Sequence, residues 1–104
     1  MRDTKQEITH FWFSETEPQL WFQNNPQFDE RVRERFGATY ELAKDGLCDH
    51  WSSDAEGCLA LCLVLSEFPR RIYRGMAQEF ATDEKALLVS KKALNKGFDQ
   101  LFPH

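Results

Sequence analysis

Three arginines beside a glutamate are the residues of this chain with the clearest potential for chemistry. Arg70, Arg71 and Arg74 follow Glu67 within one short segment. A guanidinium group is a planar fork of donors that can hold a carboxylate or a phosphate through two hydrogen bonds. The segment therefore suggests a site for an anionic metabolite, with Tyr73 as part of its wall. Two alternatives stay open: the arginines cap helix carbonyls and pair with nearby acids, or they form a patch for a partner protein.

Aromatic side chains concentrate near the amino end of the chain, at Phe11, Trp12, Phe13, Trp21 and Phe22. Successive side chains on a helix point about 100° apart, so the first three cannot all face one core. At least one of them requires a second packing surface. The segment around Trp21 and Phe22 can fold over them, or the cluster can form a groove for self-association or for a partner protein.

Cysteine and histidine residues offer one candidate set of metal ligands. Cys48, His50, Cys58 and Cys62 are zinc-type ligands, and the last two lie on one helical face. However, Cys58 and Cys62 fall inside the most apolar run, and no Cys-x-x-Cys pair occurs. We therefore predict buried, reduced thiols with no metal and no cofactor. The sequence contains no recognised nucleophile, phosphate-loop or metalloprotease motif, so no catalytic residue is assigned. This weighs against enzymatic activity but leaves open a nucleophile and base brought together from distant segments.

The composition restricts the class of protein. The chain has 104 residues, which is the size of one domain, and a formal net charge of −4. An acidic chain without a long basic stripe is a poor nucleic-acid binder. The polar amino terminus leads to no long apolar run, which predicts neither a secretory signal nor a membrane span. We expect a single domain over residues 1–104, located in the cytoplasm.

The apolar run from Cys58 to Leu65 is predicted to be the central, buried helix. It is richer in leucine and alanine than in β-branched residues, which favours a helix over a strand. Ser53 and Glu56 have the spacing of a capping box at its start. Pro69 disfavours helical angles at the residue before it, so the helix should stop or kink at Phe68.

Further helices should surround this central one. A capping box at Thr4 and Glu7 opens a short helix that ends near Ser14. Asn25 caps a long amphipathic helix that ends at Gly46, and a single turn is expected between Met76 and Phe80. The apolar faces are predicted to consist of Ile8, Phe11 and Trp12 in the first helix and Phe28, Val32, Phe36, Tyr40 and Ala43 in the long one.

Thr82 should cap the last clear helix, which ends at Gly97. Its apolar side is predicted to comprise Ala86, Leu87, Ser90, Ala93 and Leu94, and the tail from Phe98 to His104 should fold back on the protein. The predicted fold is all-α, with four or five antiparallel helices packed around the buried central one.

A series of aromatic, proline and glycine motifs covers nearly the whole chain. They are Phe11-Trp12-Phe13, Trp21-Phe22, Phe28-Asp29, Gly46 with Trp51, Leu59-Ala60-Leu61, Glu67-Phe68-Pro69-Arg70-Arg71-Ile72-Tyr73-Arg74-Gly75, Phe80-Ala81-x-Asp83 and Gly97-x-Asp99. In this order the chain resembles the bacterial family catalogued as domain of unknown function 924.

The resemblance implies a tetratricopeptide-like fold, an α-α superhelix of helical hairpins. It implies no established reaction, and it implies that family members continue beyond the position of His104. The favoured hypothesis is then a protein-interaction or self-association module, because helical scaffolds of this kind often bind other proteins. The alternative is a binder or enzyme of an anionic metabolite that uses Arg70, Arg71 and Arg74.

Overall fold

A computed structural model describes residues 3–97, which form helices joined by turns and contain no β-strand. The five α-helical segments are α1 (Thr4–His10), α2 (Pro26–Lys44), α3 (Ala55–Cys62), α4 (Phe68–Ile72) and α5 (Asp83–Asn95). Short 3-10 turns at Pro18–Trp21, Asp49–Ser53 and Ala77–Phe80 lie between them. The predicted all-α class is confirmed. The tail from Phe98 to His104 lies outside the described residues.

The central helix is longer than either of its α-helical segments. A π-helical segment, Leu63–Glu67, joins α3 to α4 without a break, so residues 3–97 contain four helices. The side chains of this helix form the middle of the core: Cys58, Leu61, Val64, Leu65 and Phe68 are each at most 1% exposed. The prediction of a buried central helix is confirmed because nearly every face of this segment is apolar and needs a partner.

Pro69 does not end the central helix, so of the two outcomes predicted at Phe68, a stop or a kink, the stop is wrong. The backbone remains helical to Ile72, and the amide of Phe68 bonds the carbonyl of Leu63 in the wider π pattern. Proline has no amide for the carbonyl four residues earlier, which belongs to Leu65. The buried hydroxyl of Thr82 donates to that carbonyl at 2.6 Å instead. A side chain from the start of α5 thus supplies the donor that the proline lacks.

Replacing Thr82 with valine should therefore destabilise the protein by about 2 kcal/mol. The shape of the side chain is kept, but the buried carbonyl of Leu65 loses its donor. Urea denaturation measures the loss, and Thr82→Ser, which keeps the hydroxyl, is the matched control. Equal stability of the valine and serine variants would show that this hydrogen bond contributes nothing.

The long helix α2 packs its predicted face against the central helix. Its predicted apolar set, Phe28, Val32, Phe36, Tyr40 and Ala43, is buried, with no member more than 4% exposed. The ring of Phe36 stacks on that of Phe68 at 5.0 Å between centroids. Asn25 accepts a hydrogen bond from the amide of Phe28 at 3.0 Å, so the predicted cap is confirmed.

The caps predicted for α1 and α3 are each displaced by one residue, and only that of α1 is a capping box. The central helix is capped by Asp54, not Ser53: its carboxylate accepts from the amide of Gly57 at 2.6 Å. This hydrogen bond lowers the pKa of Asp54, so its stabilising effect is complete above the ordinary aspartate pKa and is lost as the pH falls through the lower folded pKa. Likewise Asp3, not Thr4, caps α1, with Gln6 as the reciprocal partner.

The buried side of α5 differs in part from the predicted one. Ala86, Val89 and Ala93 are buried, whereas Leu87 and Leu94 are 54% and 60% exposed. The prediction placed both leucines on the apolar side and omitted Val89. Thr82 occupies the N-cap position, but its hydroxyl donates to Leu65 and caps no amide of α5. Within residues 3–97, no helix combines the length and the apolar character needed to cross a bilayer.

Candidate functional site

Arg71 is a buried part of the core. Its side chain is 6% exposed, and its guanidinium lies 5.1 Å from the ring of Trp12 and 5.7 Å from that of Phe28. It donates to the carbonyl of Trp21 at 2.8 Å and to both the carbonyl and the carboxylate of Glu67 at 3.1 Å. Burial lowers the pKa of Arg71, against the attraction of Glu67. The guanidinium faces the interior, beside the rings of Trp12 and Phe28.

Arg70 and Arg74 pair with acids of two different helices. Arg70 donates to the carbonyl of Ser66 and forms a 3.0 Å ion pair with Asp83 at the start of α5. Arg74 holds both carboxylate oxygens of Asp29 on α2, at 2.6 and 2.9 Å, and this raises the pKa of Arg74. The two guanidinium groups therefore connect α4 to its neighbours in different directions.

Tyr73 belongs to a separate contact. Its hydroxyl donates to Glu41 at 2.6 Å, and this hydrogen bond raises the pKa of Tyr73. The pKa of Glu41 is lowered, first by its hydrogen bond with Lys44 and then by the one with Tyr73. Its ring lies 5.7 Å from the ring of Tyr40. Tyr73 thus joins the end of the central helix to α2.

The five predicted anion-site residues, Arg70, Arg71, Arg74, Glu67 and Tyr73, have contacts that match the structural alternative. Each arginine bonds a carbonyl or a carboxylate of the protein itself. The described geometry therefore gives this cluster a role in joining helices.

The aromatic cluster folds onto itself. Phe11 and Trp12 are buried, and Trp21 stacks on Trp12 with 5.8 Å between ring centroids. Phe13 contacts the edge of Trp21, and the indole nitrogen of Trp21 donates to the carbonyl of Trp12 at 3.2 Å. Phe22 is 86% exposed. Four of the five aromatics thus pack within the fold, as in the interpretation where the following turn covers them.

The three cysteines contact protein groups. Cys58 donates to the carbonyl of Ser52 at 3.2 Å, and the sulfur of Cys62 lies 3.4 Å from the hydroxyl of Ser90. Burial raises the pKa of all three thiols, including Cys48. Over residues 3–97, no three histidine, cysteine, aspartate or glutamate side chains converge as metal ligands.

An apolar ridge on α5 was not predicted as a site. Leu87 and Leu94 are seven residues apart and share one face, with Ser90 between them. Ser90 contacts Cys62 of α3, and Cys62 and Leu59, one turn earlier, are both only half-buried. We call Leu59, Cys62, Leu87 and Leu94 the leucine ridge. The spacing of the two α5 leucines was visible in the sequence, but it was interpreted as a core face.

Comparisons with known proteins agree with the resemblance seen in the sequence. Residues 8–104 match the family described as "Bacterial protein of unknown function (DUF924)". No curated protein matches the chain. A solved structure, that of the protein of unknown function ATU0120 from Agrobacterium tumefaciens, is similar with a TM-score of 0.91 at 34% sequence identity. The match covers 96% of this chain and 56% of that one, so the chain spans little more than half the length of its solved relative.

Proposed function

The chain belongs to the bacterial DUF924 family of unknown function, and on that premise we propose that it is a helical interaction module whose leucine ridge binds an apolar helix. The observation that carries this proposal is the exposure of Leu87 and Leu94, each more than half accessible, on a helix of 13 residues. Exposed leucines that share one helix face form an apolar surface of the kind that another element can cover.

The solved relative suggests the chemistry of the occupant. Just under half of its chain lies outside the match, and the resemblance implies that this part follows the position of His104. Helical arrays need a terminal helix with a polar outer face, whereas the outer side of α5 carries leucines. We therefore propose as occupant a helical segment with an apolar face, equivalent to the part of the relative that the match leaves out.

The proposal includes the finer architecture and location that the sequence predicts. We propose that the helices form antiparallel hairpins of a tetratricopeptide-like superhelix. Two contacts support antiparallel packing of α5 on the central helix: Thr82, at the start of α5, contacts Leu65, and Lys92, near its end, contacts Ser52, which precedes α3. We also propose that the module acts in the cytoplasm, which suits its three free thiols. An anion site at the arginines is not proposed, since each already bonds protein groups.

Binding of the unmatched segment of ATU0120 to this chain tests the proposed function. The segment, added as a separate polypeptide, should bind, and Leu87→Ser with Leu94→Ser should weaken its affinity roughly tenfold or more. Leu47→Ser is the matched control, because Leu47 is 62% exposed and is not a residue of the ridge; it lies between α2 and the 49–53 turn. Calorimetric titration gives the affinities.

Three results would contradict this function. They are the absence of binding, equal affinity of the double variant, and equal loss in the control. A fourth, a dimer of this chain that only the double variant dissociates, would identify a second copy as the occupant and overturn the one proposed.

A further inference from the structure

A cleft between the 49–53 turn and α5 is separate from the leucine ridge and from the arginines. Its volume is about 270 Å³, at the small end for ligand sites. The cleft is lined by Asp49, Ser52, Leu61, Lys85, Leu88, Val89 and Lys92. It thus combines apolar walls with two lysines.

The two lysines differ in how far their charge is neutralised. Lys85 forms a 2.9 Å ion pair with Asp49 and donates to the carbonyl of Ala43 at 3.1 Å. Lys92 donates to the hydroxyl of Ser52 at 2.8 Å, and no carboxylate lies within 4.0 Å of it in the described part of the chain. An ammonium group has three donors. Lys92 therefore holds a positive charge at the cleft that a neutral hydroxyl positions but does not neutralise.

Ser52 acts as a positioning group for that lysine. Its side chain is buried, and its hydroxyl donates to the carbonyl of Asp49 at 2.9 Å while it accepts from Lys92. Because the hydroxyl proton is directed at a backbone carbonyl and the lysine is the donor, the pair is not arranged as a nucleophile and its base. The arrangement instead fixes the Lys92 ammonium at one edge of the cleft.

The apolar lining limits the kind of anion that fits. Leu61 and Val89 are almost completely buried, and Leu88 is 60% exposed on the same side of α5 as Lys85 and Lys92. One ammonium matches a singly charged carboxylate better than a phosphate, which needs several donors when it leaves water. The positive charge of Lys92 also acts on Cys58: burial raises the pKa of this thiol, whereas Lys92 and Lys96 lower it.

We propose that this cleft binds a small aliphatic carboxylate. The carboxylate group accepts hydrogen bonds from Lys92, and the hydrocarbon part lies on Leu61, Leu88 and Val89. This site is independent of the proposed docking function, since it shares no residue with the leucine ridge.

Titration with sodium hexanoate, followed by NMR of the leucine and valine methyl groups, tests the carboxylate site. We expect a saturable shift at Leu88 and Val89, and Lys92→Gln should raise the dissociation constant roughly tenfold. The matched control is Lys91→Gln, which removes the same charge from the neighbouring residue, outside the cleft lining. Both lysines are exposed, so both variants should stay folded.

Comparison ligands separate charge from apolar contact. 1-Hexanol has the same hydrocarbon part without the charge, and inorganic phosphate has charge without the hydrocarbon; both should bind more weakly than hexanoate. Equal binding of 1-hexanol, an unchanged constant in Lys92→Gln, no saturable shift, or shifts confined to Leu87 and Leu94 would each overturn the proposal.

Discussion

Replacing Gly57 with alanine is expected to destabilise the protein by about 3 kcal/mol or more, a large part of the roughly 5–15 kcal/mol that stabilises a typical domain. A Cβ at Gly57 would lie 1.8 Å from the carbonyl oxygen of Trp51 and 2.7 Å from its carbon. These are backbone atoms of the 49–53 turn, so no side-chain rotation can relieve the overlap. Because Trp51 is itself only 8% exposed, the turn cannot move away without opening the core.

Gly37→Ala is the matched control for that substitution. Gly37 lies within α2, and a Cβ there would have only the Arg33 Cγ, at 3.9 Å, within contact distance. Alanine should stabilise α2 by about 0.5–1 kcal/mol, since glycine loses more conformational freedom in a helix. Urea denaturation of both variants gives the two free energies of unfolding. Similar stabilities for Gly57→Ala and the parent protein would mean that the backbone of Trp51 does not lie as close to Gly57 as the structure places it.

Replacing Arg71 with alanine should cost about 3 kcal/mol. The substitution leaves the carbonyl of Trp21 without its 2.8 Å donor and removes the cation from the rings of Trp12 and Phe28. Arg71→Lys keeps the charge but should still cost about 2 kcal/mol, because an ammonium cannot reproduce the fork that joins Trp21 to Glu67. Thermal and urea unfolding, with tryptophan fluorescence as the probe, measure both.

Arg74→Ala is the control for the Arg71 variants. Its pair with Asp29 is partly exposed, with 33% of the arginine side chain and 13% of the aspartate side chain accessible, so its loss should cost less than that of Arg71, about 1–2 kcal/mol. The prediction for Arg71 is wrong if the two alanine variants unfold at the same urea concentration. Should Arg71→Ala remain folded but fail to bind an anion that stabilises the parent protein, the cluster would be a binding site after all.

The central helix shows how tertiary contacts modify a local signal. The apolar run predicts a helix correctly, and Pro69 predicts a local disturbance, because proline removes an amide wherever it lies. Whether that disturbance ends the helix depends on a substitute donor. Thr82, which is 17 residues from Leu65, supplies that donor. The hydroxyl of Tyr40 lies 3.5 Å from the hydroxyl of Thr82. No spacing rule could connect these residues before their helices were packed.

The candidate sites divide in the same way. The arginines and aromatics were identified from their residue types, and their alternatives were named, but the choice between them depends on partners far along the chain, such as Trp21, 50 residues before Arg71. The leucine ridge and the Lys92 cleft were missed. Both depend on which side of α5 faces α3, and that rotation follows from how two helical surfaces fit.

By itself, the sequence determined the helical class, the buried central helix and the inner face of α2, because these follow from apolar residues repeating over neighbouring turns. Only the tertiary structure decided that Val89 and not Leu87 enters the core and that Arg71 bonds Trp21. Periodicity can be read from the sequence of one helix. Which side chains are buried, and which bond to each other across a helix–helix contact, depends on how the two helix surfaces pack.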